Sequence, residues 1–342
     1  MTIYIIYTRG SVRYLRFFAK SLVSFSNYNY RLVANGCSAN DIAHLKELCR
    51  EYPDRLYLDV ISKKVVLPHG EVLDSLALAH SERYFCFMDS DIFATVYLPD
   101  LEALMNANQL SAMFSAMPLW VKQEHETMLN EFNEIIGTFN RTENDICIGG
   151  TYFAIYNHEH LLSVIRDFEV SFDSFFFNQL AEPLQKVLTS LNLNKRLYDT
   201  GKIINILLAH RDRKMDNIHL PQLCHIGGTS FEVQNRYRGF FLLKKLKSFV
   251  ANLTIVKRFR NNRPDNISLL HKRYTSQREF QINYEQRIVY RDVVRGYFLE
   301  LFCALSKKSK LPELPKLASA EILKKIETGR EQYILAFEKF NR

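Results

Sequence analysis

The chain has 342 residues, of which 47% are hydrophobic and 24% charged, with a formal net charge of +8. This composition is that of a globular protein with a substantial core, without repeats or low-complexity segments. The longest uncharged apolar runs, such as residues 203–209, fall well short of the roughly 20 residues that a membrane-spanning helix needs. The start of the chain also lacks the features of a signal peptide, so we expect a cytoplasmic protein.

Charge is distributed unevenly along the chain. Residues 1–225 carry 21 Lys and Arg against 26 Asp and Glu, whereas residues 226–342 carry 24 against 11. We therefore expect the acidic part to carry the chemistry and the basic part to serve another purpose. The six cysteines include no CxxC pair, which favours buried, reduced thiols over a zinc site.

Strand and helix signals alternate over the first 115 residues. In chain order, hydrophobic periodicity predicts strand 3–7, helix 12–25, strand 30–34, helix 41–52, strand 55–61, helix 72–80, strand 83–88 and strand 110–117. This alternation implies βαβ units and a doubly wound α/β sheet.

The pattern is less regular after residue 145. A strand or bend is predicted at 146–156, helices at 160–168, 183–191 and 202–210, and a short strand at 218–224. Beyond residue 229 the sequence becomes basic and aromatic, and a last helix is predicted at 319–340. The C-terminal region is therefore expected to be mainly helical.

Two acidic residues follow the predicted strand 83–88. The sequence YFCFMDSDIF places Asp89 and Asp91 two positions apart at the carboxyl end of an apolar strand, where ligands bind in open α/β sheets. Carboxylates there would repel a diphosphate unless a divalent cation reversed the sign, and hard oxygen ligands suit Mg²⁺ or Mn²⁺. The alternative is a loop of solvated acids or a helix cap.

This DxD motif at the end of a buried strand resembles that of the GT-A glycosyltransferases, over about residues 1–230. The resemblance implies a GT-A-like mixed sheet with a Rossmann-like nucleotide-binding half (1–115) and an acceptor half (116–230), followed by the basic helical region 231–342. It also implies transfer from a nucleotide-diphosphate sugar, with a UDP-sugar favoured, to a glycan or lipid-linked acceptor, as in bacterial surface-polysaccharide synthesis. Asp91 then resembles the direct metal ligand, and Asp89 a second ligand that also contacts the donor's ribose or sugar.

A second motif, HIGGTS at residues 225–230, follows the predicted strand 218–224. The resemblance implies that His225 is an additional metal ligand, the alternative being a histidine satisfied at a strand end. The two glycines would let the backbone approach a diphosphate, to which Thr229 and Ser230 could donate hydrogen bonds.

Five further residues occupy positions where the family binds its donor. Thr8 and Arg9 end the first predicted strand and Asn35 ends the second, where the family holds the nucleobase. His69 and Asp74, in the sequence PHGEVLD, resemble the start of the donor-binding helix. The alternative for this segment is an ordinary capped helix with Asp74 on its surface.

The predicted acceptor half contains a candidate catalytic base. Gly149 and Gly150 resemble the glycine segment that lines the donor sugar, and Asp199, just before the predicted helix 202–210, resembles the carboxylate with which inverting members deprotonate the acceptor. Tyr198 stands where a Glu is usual, and the alternative role of Asp199 is a helix N-cap. Two weaker candidates for the base are Asp145 and Asp173.

The basic segment 236–260 interleaves cations with apolar residues. It favours either peripheral contact with an anionic membrane, on its cytoplasmic face, or a helix packed on the catalytic domain with solvated charges. No motif supports nucleic-acid binding.

Two rival functions remain. One is a HAD-like phosphohydrolase, because Asp212 and Asp216 imitate the later acidic pair of those enzymes. Against this, Phe93 stands where Thr or Val is expected. The other is a non-catalytic sugar-binding or membrane-peripheral protein on a transferase scaffold.

Overall fold

The computed structural model describes residues 1–62, 65–229 and 278–341, with side chains from residue 290 onward in the last range. The predicted donor residue Ser230 and the basic segment 236–260 lie outside these described residues.

Strands and helices alternate in the first part of the chain, as predicted, and the structure adds a short strand at Ile92–Ala94 and a helix at Leu101–Ala107 that were not predicted. They are β1 (Thr2–Thr8), α1 (Val12–Ser24), β2 (Asn29–Asn35), α2 (Ala39–Glu51), β3 (Leu56–Ser62), α3 (His69–Ala79), β4 (Tyr84–Asp89), β5 (Ile92–Ala94), α4 (Leu101–Ala107) and β6 (Ala112–Phe114). Local signals explain several boundaries. Ser38 and Asp41 form a capping box that starts α2, and Gly36 ends β2 with a positive φ of 64°.

The second part contains mostly shorter strands, and its last two helices are the longest of those described. They are β7 (Thr127–Met128), β8 (Glu134–Ile135), β9 (Arg141–Thr142), β10 (Phe153–Asn157), α5 (His158–Phe168), β11 (Phe175–Phe176), α6 (Glu182–Ser190), β12 (Leu197–Tyr198), α7 (Lys202–His210), β13 (Met215–Asn217), β14 (Leu223–His225), α8 (Arg278–Lys307) and α9 (Ala320–Phe340).

Three predicted strands are shorter than expected, for identifiable backbone reasons. The strand predicted at 110–117 covers only β6, because Gln109 and Ala116 adopt left-handed backbone angles, with φ of 53° and 56°. In the segment 146–156, a turn at Gly149, with φ of 41°, delays the strand until β10. The strand predicted at 218–224 forms only at β14, after a turn in which the Leu223 amide donates to the Leu220 carbonyl.

Seven strands form one mixed sheet in the order β13-β6-β10-β4-β1-β2-β3. β1 lies parallel to both β2 and β4, whereas β10 lies antiparallel to β4 and β6. Helices cover both faces, so that one core forms under α1 and α2 and another under α3, α5 and α7. The predicted α/β class and doubly wound mixed sheet are confirmed. The parallel strands bring the ends of β1, β2 and β4 to one edge of the sheet.

The last helix belongs to the first core. Tyr333 of α9 is buried, and its ring lies 5.4 Å from that of Phe17 in α1 and 6.1 Å from that of Phe93 in β5. The described part of the C-terminal region is helical, as predicted, and α9 lies directly behind the strand that follows Asp91. None of the helices that the structure describes is both long and apolar enough to cross a bilayer.

This packing predicts a strong dependence of stability on Tyr333. Tyr333→Ala should lower the free energy of unfolding by about 3–5 kcal/mol, because it leaves a cavity among aromatic rings. Leu335→Ala, on the exposed face of the same helix, should change it by less than about 0.5 kcal/mol. Urea denaturation measures both values. Equal, small effects would show that α9 does not belong to the core.

Candidate active site

The DxD residues and His225 come together through the pairing of two short strands. β4 ends at Asp89, and β5 begins directly after Asp91. β14 pairs antiparallel with β5, which places His225 opposite Ile92. The Nε2 atom of His225 then lies 3.2 Å from Asp91 Oδ1 and 3.7 Å from Asp89 Oδ2. Each of the three residues offers one potential ligand atom, and these three atoms all lie within 4.8 Å of one another.

Neighbouring backbone groups orient this cluster. His225 Nδ1 lies 2.7 Å from the Ala116 carbonyl, which can only accept, so Nδ1 carries the proton and Nε2 faces the carboxylates. Nε2 is buried and lies directly against Asp91 Oδ1. The Thr229 amide donates to Asp91 Oδ2 at 2.8 Å. Two carboxylates and an imidazole nitrogen therefore converge as the ligands of a divalent cation do.

The electrostatics of the cluster fit the same use. Burial, together with the charge of Asp91, raises the pKa of Asp89 to about 7. Burial also acts to raise the pKa of Asp91, but His225 and the Thr229 amide hold it below its usual value. Burial acts to lower the pKa of His225, and the two carboxylates raise it. Two acids this close repel each other, and a bound divalent cation relieves that repulsion.

The glycines after His225 shape the loop that holds Asp91. Gly227 and Gly228 both have φ of 82°, and a Cβ on Gly227 would lie 2.5 Å from Trp120 Nε1. This conformation presents the Thr229 amide to Asp91, so the backbone of Thr229 serves a metal-ligand candidate directly. The predicted contact of Thr229 with a diphosphate stays a prediction.

The three predicted nucleobase contacts lie at the edge formed by β1 and β2, where Thr8 pairs with Asn35. The buried side chain of Asn35 accepts a hydrogen bond from the Leu67 amide and donates one to its carbonyl, which ties down the segment before α3. Arg9 Nε donates to the Gly36 carbonyl. The Thr8 hydroxyl is buried without a hydrogen-bond partner among the described residues.

His69 and Asp74 contribute in different ways. His69 is the first residue of α3, and burial lowers its pKa to about 4, opposed by the charge of Asp199. His69 therefore neighbours the candidate base. Asp74 Oδ1 accepts a hydrogen bond from the Phe172 amide, and burial raises the pKa of Asp74 to about 6. Asp74 thus connects α3 to the segment that follows α5. It is not the surface residue of the alternative interpretation.

Asp199 does not cap α7, whose N-cap is Gly201 without a side-chain hydrogen bond. Its Oδ2 accepts from the Gly137 amide at 2.8 Å, and its Oδ1 from the Thr200 amide at 2.9 Å and the Ser174 hydroxyl at 3.3 Å. The N-cap interpretation is therefore wrong. These contacts hold the carboxylate in one orientation between α3, the 137 turn and α7.

A single segment connects Asp199 to the metal cluster. The Thr151 hydroxyl donates to the Thr200 carbonyl at 3.2 Å, and the Asp89 amide donates to the Tyr152 carbonyl at 2.7 Å. The predicted glycines open this segment. A Cβ on Gly149 would lie 2.3 Å from the Phe114 ring, so no larger residue fits there. The candidate base and the candidate cation ligands are thus linked through the adjacent residues Thr151 and Tyr152.

The sequence did not point to Lys202, whose buried side chain binds the start of the segment 149–152. Its side chain is fully buried, and Nζ donates to the carbonyls of Phe139 at 2.6 Å and Ile148 at 3.2 Å, and also to that of Gly149. Burial lowers its pKa to about 7, opposed by the charge of Asp199. The available signal was a cation starting the apolar helix KIINILLAH.

The remaining acidic candidates lie apart from the cluster. Asp145 is exposed and pairs with Arg141, and Asp216 lies 4.0 Å from the same arginine. The backbone of Asp173 packs against Gly70 at the start of α3. In the part of the chain that the structure describes, only Asp89, Asp91 and His225 form a group suited to a metal. Asp212 and Asp216 therefore do not join the DxD residues.

No protein-family model matches the chain, and no curated protein matches it. Among solved structures it is similar to S. aureus TarS 1–349, with a TM-score of 0.41 and 13% identity over 100% of this chain and 91% of that one. It is also similar to the galactosyltransferase LgtC in complex with donor and acceptor sugar analogues, with a TM-score of 0.36 and 10% identity over 70% of this chain and 94% of that one. A third similar structure is the mannosyltransferase PcManGT from Pyrobaculum calidifontis in complex with GDP-Man and Mn²⁺, with a TM-score of 0.35 and 12% identity over 99% of this chain and 86% of that one. Two of the three are named glycosyltransferases, the class that the sequence resembles. These overall likenesses are loose, so the function proposed below rests on the chain's own residues.

The cluster predicts specific losses of metal affinity, measurable by calorimetric titration with Mn²⁺. Asp91→Asn should leave no measurable binding, because it removes the most buried carboxylate of the group. His225→Ala should weaken Mn²⁺ affinity about 10- to 100-fold, as removal of supporting groups at metal sites does. The control Asp212→Asn changes an exposed acid outside the group. Wild-type Mn²⁺ affinity in Asp91→Asn would overturn the assignment.

Proposed function

We propose that the protein is a metal-dependent glycosyltransferase of the GT-A type, which transfers a sugar from a nucleotide-diphosphate sugar to an acceptor hydroxyl. The observation that carries the proposal is the group Asp89, Asp91 and His225 at the carboxyl end of β4. It lies on the sheet edge where β1 and β2 also end. Ligands of open α/β sheets bind at that edge, so a nucleotide held by β1 and β2 would extend its diphosphate toward the cluster.

The ligand set supports a choice of ion. Carboxylate oxygens suit both Mg²⁺ and Mn²⁺, whereas an imidazole nitrogen suits the softer transition metals better than Mg²⁺. We therefore favour Mn²⁺, held by Asp91 and His225, with Asp89 shared between the ion and the donor. When bound, the ion would act as a Lewis acid that stabilises the departing diphosphate.

Asp199 supplies the other half of the chemistry. Its carboxylate would take the proton of the acceptor hydroxyl while the hydroxyl oxygen bonds to the anomeric carbon and the bond to the diphosphate breaks. The products are the glycoside and the nucleoside diphosphate. Three donors orient this carboxylate, and residues 149–152 join it to the metal cluster. A base and a leaving group on separate sides of the sugar favour direct displacement with inversion.

The finer assignments are part of the same proposal. A UDP-sugar is the favoured donor, with Thr8, Arg9 and Asn35 near the base and Gly150 near the sugar. The acceptor would be a glycan or a lipid-linked glycan. A lipid-linked acceptor would place the reaction at the cytoplasmic face of a membrane, and the basic segment 236–260 is the candidate for contact with that membrane.

The first test of this function uses a panel of nucleotide sugars with and without Mn²⁺. We expect one of them to raise the melting temperature only when Mn²⁺ is present, and to be hydrolysed slowly without acceptor. Asp91→Asn should lose both effects while keeping the urea midpoint of the wild type. Release of inorganic phosphate from phosphomonoesters, without any response to nucleotide sugars, would instead establish the phosphohydrolase. Binding without any turnover would favour the non-catalytic protein.

The second test concerns Asp199 and stereochemistry. Asp199→Asn should lower kcat by about 10²- to 10⁴-fold, the usual contribution of a positioned base, and leave donor affinity nearly unchanged. Asp145→Asn is the matched control, since that acid is exposed and pairs only at the surface. The anomeric proton of the product, followed by NMR, should show inverted configuration. Retained configuration would overturn the role of Asp199 and leave the metal site standing.

A further inference from the structure

A cavity of about 570 Å³ lies next to the metal cluster, between residues 115–119, β14 and the start of α9. Its volume is within the roughly 300–1,000 Å³ range of ligand sites. Two of its lining residues also adjoin the cluster. The rings of Tyr152 and His225 lie 5.3 Å apart, and the Tyr152 carbonyl binds the Asp89 amide. The cavity and the metal site therefore share a wall.

A chain of hydrogen bonds gives one side of the cavity a defined polar surface. The Tyr152 hydroxyl donates to Asn140 Oδ1 at 3.1 Å, and Asn140 Nδ2 donates to Glu126 Oε2 at 3.1 Å. Asn140 is thereby held in one orientation, and no described residue donates a hydrogen bond to the second carboxylate oxygen of Glu126. Burial raises the pKa of Glu126, opposed by Asn140 and by Lys325 across the cavity.

An unsatisfied hydroxyl on the same surface indicates a polar ligand. Ser115 lines the cavity and is buried, and its Oγ has no hydrogen-bond partner among the described residues. A buried polar group left unpaired costs about 1–3 kcal/mol. A ligand that accepts from or donates to this hydroxyl would remove that cost.

The charges around the cavity limit the kind of ligand. On α9, Lys325 pairs with Glu321 at 2.8 Å and also donates to the Val121 carbonyl. The lysine is thus neutralised within its own helix, and Glu126 remains opposite it. Among the described lining residues, the cation Lys325 is already paired with Glu321, whereas the Glu126 carboxylate can accept hydrogen bonds from hydroxyl donors.

We infer that this cavity binds an uncharged, polyhydroxylated group, a sugar ring or a polyol, as the part of the acceptor that enters beside the donor. The identification of this group as part of the acceptor rests on the proposed function, whereas the binding of such a group in the cavity does not. Glu126, Asn140 and Ser115 would provide the polar contacts, and apolar residues such as Leu119 and Leu220 would face the carbon skeleton. The acceptor's phosphate or lipid portion, where it has one, would remain outside.

Saturation-transfer NMR on the full chain tests the site with defined probes. These are the methyl glycosides of glucose, galactose, mannose and N-acetylglucosamine, together with ribitol. We expect saturation transfer to at least one probe, and a dissociation constant at least tenfold higher in Ser115→Val and in Glu126→Leu. Thr189→Val, on the exposed face of α6, is the control. The urea midpoint and Mn²⁺ affinity of each variant report whether it is folded.

The outcomes separate this inference from the proposed function. No transfer to any probe, or equal transfer to wild type and both cavity variants, would overturn the cavity assignment even if nucleotide sugars turn over. Tighter binding of a probe's phosphate ester than of the uncharged probe would overturn the ligand class. Cavity binding of a sugar in a protein that ignores nucleotide sugars and Mn²⁺ would support the site and refute the transferase.

Discussion

The candidate active site depends on the pairing of β5 with β14. The pairing has only three register positions, and the last sets His225 opposite Ile92. Because side chains alternate along a strand, a slip of one residue would turn His225 away from Asp91. Two further contacts secure the register, since the amides of Ile226 and Thr229 bind the carbonyl and the carboxylate of Asp91. The candidate metal site combines residues from two distant segments of the chain and therefore depends on a few backbone hydrogen bonds.

The C-terminal helices stabilise this pairing from behind. Tyr333 packs on Phe93 of β5, and a Cβ on Gly329 would lie 3.6 Å from the sulfur of Cys224 in β14. The same helix, α9, brings Lys325 and Glu321 to the cavity beside His225. The charge distribution predicted that the basic part of the chain would serve a purpose apart from the chemistry. Its described helices instead adjoin the candidate site, because the core under α1 extends to β5.

Residues 149–152 explain how two candidate groups from distant parts of the chain can act on one substrate. The Tyr152 carbonyl accepts a hydrogen bond from the Asp89 amide, and the hydroxyl of the preceding Thr151 donates to the Thr200 carbonyl in the Asp199 loop. A buried ammonium beneath them would be costly in an apolar core, and Lys202 offsets that cost with three backbone carbonyls. Gly149 has a positive φ and lies so close to the Phe114 ring that no side chain fits there.

Features that depend on neighbouring residues could be predicted from the amino-acid sequence. Apolar runs predicted the strands of the mixed sheet except the edge strand β13, and α7 begins and ends where its periodicity indicates. The placement of Asp89 and Asp91 at the end of β4 also follows from local pattern. Only the tertiary structure decided which side chains meet. It joined Thr229 to Asp91 across 138 residues, placed Asp74 against Phe172, and buried Lys202 beneath Gly149. These contacts depend on strand pairing and helix packing between remote segments, and no local periodicity encodes the distance between two segments once the chain has folded.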